Sequence, residues 1–147
     1  MIRKIGAVLA GIAVVFAVVS ALQFASMSMW PPPEGLDPMD PADREAFDEY
    51  IAGLPMGAWM LVYASEILGA FLGALAAGWI AGDHRRWFAG AIVALALAGS
   101  VANWLSFPHP TWFIAGQLLT YPLAYLAAVR LLAPRPIPSR GMSRPLA

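Results

Sequence analysis

Long apolar runs separated by polar segments dominate the chain. Four runs hold at most one charged side chain each, and they cover residues 5–28, 56–81, 87–107 and 111–132. Each run has about 20 residues or more, which as a helix rising about 1.5 Å per residue crosses about 30 Å of hydrocarbon. The runs are continuous and lack the apolar–polar alternation of strands. The pattern predicts an all-α integral membrane four-helix bundle with four transmembrane helices.

The segment between the first two runs, residues 29–55, is the one long connection between runs. Trp30 is followed by three prolines, which favour a stiff, extended backbone. Asp40 and Pro41 then indicate a helix start, because Asp caps a first turn well and proline suits the first helical position. The apolar residues that follow at helical spacing are Phe47, Tyr50, Ile51 and Leu54. We therefore expect a short amphipathic helix over residues 41–52, lying on the outer membrane surface.

The first run also has features of a signal peptide. Arg3 and Lys4 form a basic segment, and an apolar stretch follows them directly. That stretch continues past the usual length of a signal sequence, and no clear small-x-small cleavage site follows it. These features favour a retained helix, with cleavage of residues 1–28 as the alternative.

The end of the sequence differs in composition from the rest. Residues 133–147 contain four prolines and scattered arginines, which argues against a packed structure. The chain is therefore predicted to have two parts. Residues 1–132 form a four-helix transmembrane domain that includes the outer loop 29–55, and residues 133–147 form a disordered cytoplasmic tail.

Charge is scarce and unevenly distributed along the chain. Charged residues make up 12% of it, against about 25% in soluble domains. With the N-terminus inside, eight of the nine basic residues fall on the cytoplasmic side: Arg3, Lys4, Arg85, Arg86, Arg130, Arg135, Arg140 and Arg144. The positive-inside rule then places both termini in the cytoplasm. Together with the abundance of Arg, Ala and Gly, this predicts a multi-pass protein of a bacterial inner membrane.

Glu66 is the one acidic residue inside an apolar run. It lies about 15 Å along the second run, near the bilayer midplane, where an ionisable group indicates a functional site by default. Gly69 and Gly73 share its helical face, and small residues at this spacing let another helix approach closely. We therefore expect Glu66 to face a helix seam. The same two glycines are candidates for contact with other membrane subunits or with a second copy of the chain.

Polar side chains on the other runs suggest a site around Glu66. They gather in the outer halves of the runs, whereas the inner halves are almost entirely apolar. The candidate ligand- or proton-binding residues are Glu66, Tyr63, Gln23, Asn103, Gln117 and Tyr121. Their depths predict a polar pocket that faces outward and ends at Glu66. Simple hydrogen bonding between helices is the alternative, since such side chains commonly bond across membrane helices.

Several functional classes lack support in the sequence. The absence of cysteine excludes disulfides and thiolate chemistry. No nucleotide-binding, serine hydrolase or HExxH zinc motif is present, and the basic residues form no nucleic-acid-binding patch. His84 and His109 both fall in predicted turns. We therefore expect no catalytic residue, no metal, no cofactor and no nucleic acid, with the lipid bilayer as the main partner.

Two functions remain after these exclusions. The first is a non-enzymatic accessory, assembly or ligand-binding membrane protein. The second is a proton- or ion-coupled small-molecule transporter in which Glu66 titrates. A water-accessible cavity lined by Gln23, Tyr63, Asn103 and Gln117 would favour the transporter, and a closed, hydrogen-bonded seam would favour the first function.

Overall fold

The computed structural model describes residues 1–37 and 40–133, and within these ranges all regular secondary structure is helical. Five α-helices make up most of it: α1 Ile2–Met29, α2 Arg44–Ala52, α3 Met56–Ala81, α4 Arg85–Ser106 and α5 Thr111–Leu132. The all-α fold predicted from the sequence is confirmed. The predicted tail lies, from residue 134 onward, outside the described residues.

The long apolar helices indicate a membrane protein. Three helical stretches are long and apolar enough to cross a bilayer, namely Ile2–Met29, Met56–Ser106 and Thr111–Leu132. The second stretch has 51 residues and contains both α3 and α4. Glu66 and Ser100 lie 34 residues apart within it, yet their side-chain oxygens are 2.5 Å apart. A continuous helix would separate them by about 51 Å, so the chain reverses between α3 and α4.

Gly82 begins the short 3-10 turn that makes this reversal. Its φ is +73°, in the left-handed region that glycine adopts without steric cost, and a Cβ there would collide with the guanidinium of Arg3. Arg3 Nε donates to the carbonyl of Ile80 at 2.6 Å, and Arg85 Nη1 donates to the carbonyl of Leu132 at 3.1 Å. Cations are favourable at the carboxyl ends of helices, because the last carbonyls there are unpaired.

These contacts bring the starts of α1 and α4 and the ends of α3 and α5 to one end of the molecule. It is termed the basic end, and it carries Arg3, Arg85, Arg86 and Arg130. At the opposite end, the ring of Trp30 lies against Gly57, and the rings of Trp59 and His109 are 5.3 Å apart. This end is termed the acidic end, and it contains residues 29–37 and 40–55 and the turn between α4 and α5. The four long helices therefore run in alternating directions.

α3 is the central helix and contacts α1, α4 and α5. Its contact with α1 uses the two glycines of the GxxxG pattern. A Cβ on Gly69 would lie 3.3 Å from the carbonyl oxygen of Val15, and a Cβ on Gly73 would lie 2.7 Å from that of Gly11. The close approach that the pattern predicts is thus made by α1 of the same chain. A second copy could use the same glycines only if α1 moved away from them.

The other side of α3 packs against α4 and α5 through side chains. Small residues on α3, among them Ala70 and Ala74, are fully buried and leave room for larger side chains from the neighbouring helices. The buried core of this three-helix seam comprises Ala70, Ala74, Leu75, Ala89, Val93, Tyr121, Ala128 and Leu132. The region that holds Glu66 is therefore supported on this side by a filled core.

The short helix predicted after Asp40 is present at the acidic end. The Asp40 side chain accepts a hydrogen bond from the Ala42 N–H at 2.9 Å, and Pro41 begins a 3-10 turn that leads into α2. Phe47 and Tyr50 are half-buried, whereas Glu45 and Glu49 are exposed. The apolar and acidic faces of the helix are thus separated as the sequence pattern predicts.

The backbone of α2 makes no close contact with the long helices, so side chains hold α2 against the bundle. The Tyr50 hydroxyl donates to the carbonyl of Trp30 at 2.8 Å, and burial raises the pKa of Tyr50 above its usual value. The Phe47 and Phe107 rings are 5.7 Å apart, edge to face. Arg44 lies over the Phe107 ring and donates to the carbonyl of Ser106, the last residue of α4. α2 is therefore anchored to the ends of α1 and α4.

Candidate functional site

Glu66 is buried in the middle of the bundle, with 8% of its surface exposed. Its Oε2 atom accepts a hydrogen bond from Ser100 Oγ at 2.5 Å and another from Gln117 Nε2 at 3.0 Å. The first distance lies in the range for a hydroxyl donating to a carboxylate. Ser100 comes from α4 and Gln117 from α5, so one carboxylate oxygen joins three helices.

A second layer of hydrogen bonds orients these two donors. Ser100 gives its single hydrogen to Glu66, so the Tyr121 hydroxyl, 2.6 Å from Ser100 Oγ, is the donor in that pair. The same hydroxyl makes a longer contact of 3.5 Å with Glu66 Oε2. Trp104 Nε1 donates to Gln117 Oε1 at 3.2 Å, which fixes the amide with its NH₂ group toward Glu66. Gln117 and Tyr121 are almost fully buried. The polar cluster is therefore held in one arrangement on the α4 and α5 side.

The opposite side of Glu66 borders a cavity of about 310 Å³. It lies between α1 and α4, with α3 behind it, and α1 and α4 make little direct contact there. The walls are mainly apolar, and the polar groups on them are Gln23, Glu66, Ser100, Asn103 and Tyr121. No Lys, Arg or His among the described residues lines the cavity or bonds to Glu66.

The second carboxylate oxygen of Glu66, Oε1, has no hydrogen-bond partner among the described residues. Among all the described residues, Asp48 Oδ1 on α2 is the only side-chain oxygen or nitrogen that is both fully enclosed and without a hydrogen-bond partner. Oε1 of the buried Glu66 must therefore keep some accessible surface. Because Glu66 lines the cavity, this oxygen is available to accept a hydrogen bond from a bound group.

The cavity opens along the side of the bundle. Phe16 on α1 and Leu95 on α4 both line it and are 68% and 53% exposed. Gly99, one turn further along α4, is also exposed, and a Cβ built there would meet no atom within 4 Å. The sequence predicted a pocket facing outward and gave no sign of this side opening.

The structure brings together most, but not all, of the predicted site residues. Gln23, Asn103 and Tyr121 line the cavity with Glu66, whereas Gln117 lies behind it as a hydrogen-bond donor. Tyr63 does not line the cavity. Its hydroxyl bonds to Thr120 at 2.8 Å, and its ring packs beside Trp112 and Phe113.

Two residues of the site were not among the predicted site residues. Ser100 makes the shortest hydrogen bond to Glu66, and its place one turn before Asn103 on a polar helix face was the available signal. Trp104, one turn after Ser100 on α4, donates its indole N–H to Gln117. Nothing in the spacing of the residues identifies either hydrogen-bond partner.

His109 lies in the turn after α4 and is half-buried. Its ring packs against Trp59 and Phe113, with centroids 5.3 Å away in both cases. Nδ1 is 2.8 Å from the Phe107 carbonyl, to which only a protonated Nδ1 can donate, and Nε2 is 3.4 Å from Asn103 Nδ2. The turn thereby positions Asn103, the cavity residue nearest to it.

No family model, curated protein or solved structure matches the chain. Within residues 1–37 and 40–133, no group of three or more His, Asp or Glu side chains is placed to hold a metal ion. The site itself combines a fixed carboxylate, an apolar cavity and an opening in the side of the bundle. Such a site can bind a molecule that is mainly apolar, or exchange a proton at Glu66.

Proposed function

We propose that the chain is a small four-span protein of a bacterial inner membrane that binds a ligand in the Glu66 cavity without catalysing a reaction. α3 and α4 would each cross the bilayer once, because the chain reverses at Gly82 and both helices exceed 20 residues. The basic end then faces the cytoplasm, in agreement with the positive-inside rule. Both termini lie on that side.

The topology can be tested by labelling single cysteines, since the natural chain has none. We expect a cysteine at Glu34 to react with a membrane-impermeant reagent from the periplasmic side. A cysteine at Ser139 should react only after the cytoplasmic side is opened. Labelling of both from the same side would contradict the proposed topology.

One observation carries the ligand-binding proposal: Glu66 has one oxygen fixed by Ser100 and Gln117 and another without a partner beside a cavity. A carboxylate that served only to join helices would be expected to use both oxygens for that purpose, because unsatisfied polar groups are costly in a membrane. The cavity volume, about 310 Å³, is at the lower end of the usual range for small-molecule sites.

The test is purification of the protein in mild detergent, followed by mass spectrometry of the small molecules that remain bound. We expect a ligand in the wild type that is lost in Glu66→Ala and reduced in Glu66→Gln. Glu49→Gln is the matched control, because Glu49 is an exposed carboxylate on α2, outside the cavity lining. A bound-molecule profile that is the same in all four proteins would contradict the proposal.

A proton- or ion-coupled transporter is the second candidate. It is favoured by the absence of a basic partner for Glu66 and by the polar side chains Gln23 and Asn103 nearer the acidic end of the cavity. In that case Glu66→Gln should mimic the protonated carboxyl, keep ligand binding and abolish pH-driven uptake into proteoliposomes. If Glu66 only packs, Glu66→Gln should be nearly silent and Glu66→Ala should lower stability.

A further inference from the structure

The hydrogen bonds of Glu66 restrict the head group of any ligand in the cavity. Oε2 already accepts from Ser100 and Gln117, and Oε1 has no partner among the described residues. An ionised carboxylate only accepts hydrogen bonds. With Glu66 ionised, a complementary head group donates one, as an amine or a hydroxyl does.

The walls of the cavity require an apolar body on the same ligand. Ile12, Phe16, Val19, Ile92 and Leu95 line most of it. Its volume of about 310 Å³ is roughly twice that of an engineered apolar cavity of about 150 Å³ that binds benzene. The space accommodates a head group and the first part of a chain, and a longer chain must continue through the opening.

The opening lies at the depth of lipid chains. Phe16 and Leu95 lie about 21 Å and 15 Å from the basic-end starts of α1 and α4, and both are exposed. These depths fall within a hydrocarbon core of about 30 Å. The gap between α1 and α4 therefore faces acyl chains, which fit the exposed rim of Phe16, Leu95 and Gly99.

Resting on the proposed ligand-binding function, we infer that the ligand is an amphiphile that enters from the bilayer through the gap between α1 and α4. Its head donates a hydrogen bond to Oε1 of Glu66, and its apolar chain lies between Phe16 and Leu95. A protonated amine would in addition balance the charge of the carboxylate, since no basic side chain among the described residues does so.

The test compares three radiolabelled probes that differ only in their head group: dodecylamine, dodecanol and laurate. Binding is measured on the full-length protein in nanodiscs. The two probes with donor heads should bind, and laurate should bind at least about tenfold more weakly, because its ionised head repels Glu66. If dodecylamine binds more tightly than dodecanol, and its binding is weakened more by Glu66→Gln, the natural ligand has a charged head group. Equal binding of the two probes indicates a neutral head group.

A cavity-filling variant tests the location. Gly99→Leu should reduce probe binding about tenfold or more, because the new side chain occupies the cavity where a Cβ meets no atom within 4 Å. Gly6→Leu is the matched control, since Gly6 on α1 is equally open and lies outside the cavity lining. Size-exclusion elution checks folding, and Gly99→Val serves as a smaller second variant.

The results separate this inference from the proposed function. Laurate binding as tight as amine binding, or binding unaffected by Gly99→Leu and Gly99→Val in folded protein, overturns the inference. If none of the probes binds while a Glu66-dependent ligand still co-purifies, the amphiphile inference fails and the proposed function stands. If no probe binds and no Glu66-dependent ligand co-purifies, the amphiphile inference and the proposed function both fail.

Discussion

The two sides of Glu66 are packed differently: the seam of α3 with α4 and α5 is filled, whereas the gap between α1 and α4 is partly empty. On the filled side, Gln117 and Tyr121 are almost fully buried and bonded. On the open side, Phe16 is 68% exposed beside a cavity of about 310 Å³. The same carboxylate is thus fixed from one side and accessible from the other.

The difference follows from how α3 meets its neighbours. Toward α5 and α4 it presents alanines, and larger side chains fill the space between the helices. Toward α1 it presents Gly69 and Gly73, so the two backbones come together directly. α1 therefore lies close against α3 and makes little contact with α4, and the cavity lies between α1 and α4. Close backbone packing on one side of a helix therefore leaves a cavity beside it.

The largest expected effect is on the α1 contact. Gly73→Val should destabilise the protein by about 3 kcal/mol, because its Cβ would meet the Gly11 carbonyl oxygen at 2.7 Å, and backbone yields little to overpacking. Unfolding in mixed detergent micelles measures this change. Gly99→Val, in open space, is the control and should be nearly neutral. Equal stability of the two variants would show that α1 does not pack on Gly73.

A smaller effect is expected from removing a donor on the filled side. Gln117→Leu should cost about 2 kcal/mol, because Glu66 Oε2 loses a hydrogen bond in a buried site. Gln23→Leu is the matched control on the open side, since Gln23 has no hydrogen-bond partner among the described residues. The same unfolding assay measures both variants. If they lose similar amounts of stability, the filled and open sides of Glu66 do not differ in this respect.

The outer hydrogen bond of the cluster should contribute less. Tyr121→Phe removes the hydroxyl that donates to Ser100 and should cost about 1 kcal/mol. Tyr125→Phe, also on α5, lacks such a partner among the described residues and should be close to neutral. A thermal melt of both variants distinguishes them, and a Tyr125→Phe loss as large as that of Tyr121→Phe would argue against the bonded cluster.

The smallest effect on global stability is expected at α2, which lies outside both regions. Phe47→Asp should loosen the loop and speed its proteolysis without unfolding the long helices, because it removes the contact with the Phe107 ring. Ala46→Asp, at the exposed neighbouring position, is the control. If cleavage within residues 29–55 is as slow in Phe47→Asp as in the control, α2 is not anchored by Phe47.

Much of the fold follows from sequence patterns that act locally. The predicted runs 56–81 and 111–132 coincide with α3 and α5, because apolar length and the prolines before each run determine where the helices begin. Asp40 and Pro41 likewise identify the turn that leads into α2. The sequence also indicates that Glu66 faces a helix seam, and Glu66 is buried. Its donors come from α4 and α5, however, whereas α1 covers Gly69 and Gly73.

The arrangement of the site could not be predicted in the same way. Helical period places Tyr63 and Glu66 on one face of α3, yet Tyr63 turns toward Thr120 on α5 while Glu66 meets Ser100 on α4. Which neighbour a side chain meets depends on the rotation of each helix about its axis, and a single sequence does not contain that information. The side opening depends in turn on how narrowly α1 packs on the glycines of α3.

The positions of Glu66 and its partners along the chain have a consequence for biosynthesis. Ser100, Gln117 and Tyr121 follow Glu66 by 34, 51 and 55 residues. At a synthesis rate of about 5–20 residues per second, the ribosome takes roughly 2 to 11 seconds to produce them. During that interval α1 is already available to cover Gly69 and Gly73, whereas the carboxyl group has none of its final donors. Until α4 and α5 are synthesised, any hydrogen bond to Glu66 must therefore come from groups other than these three side chains.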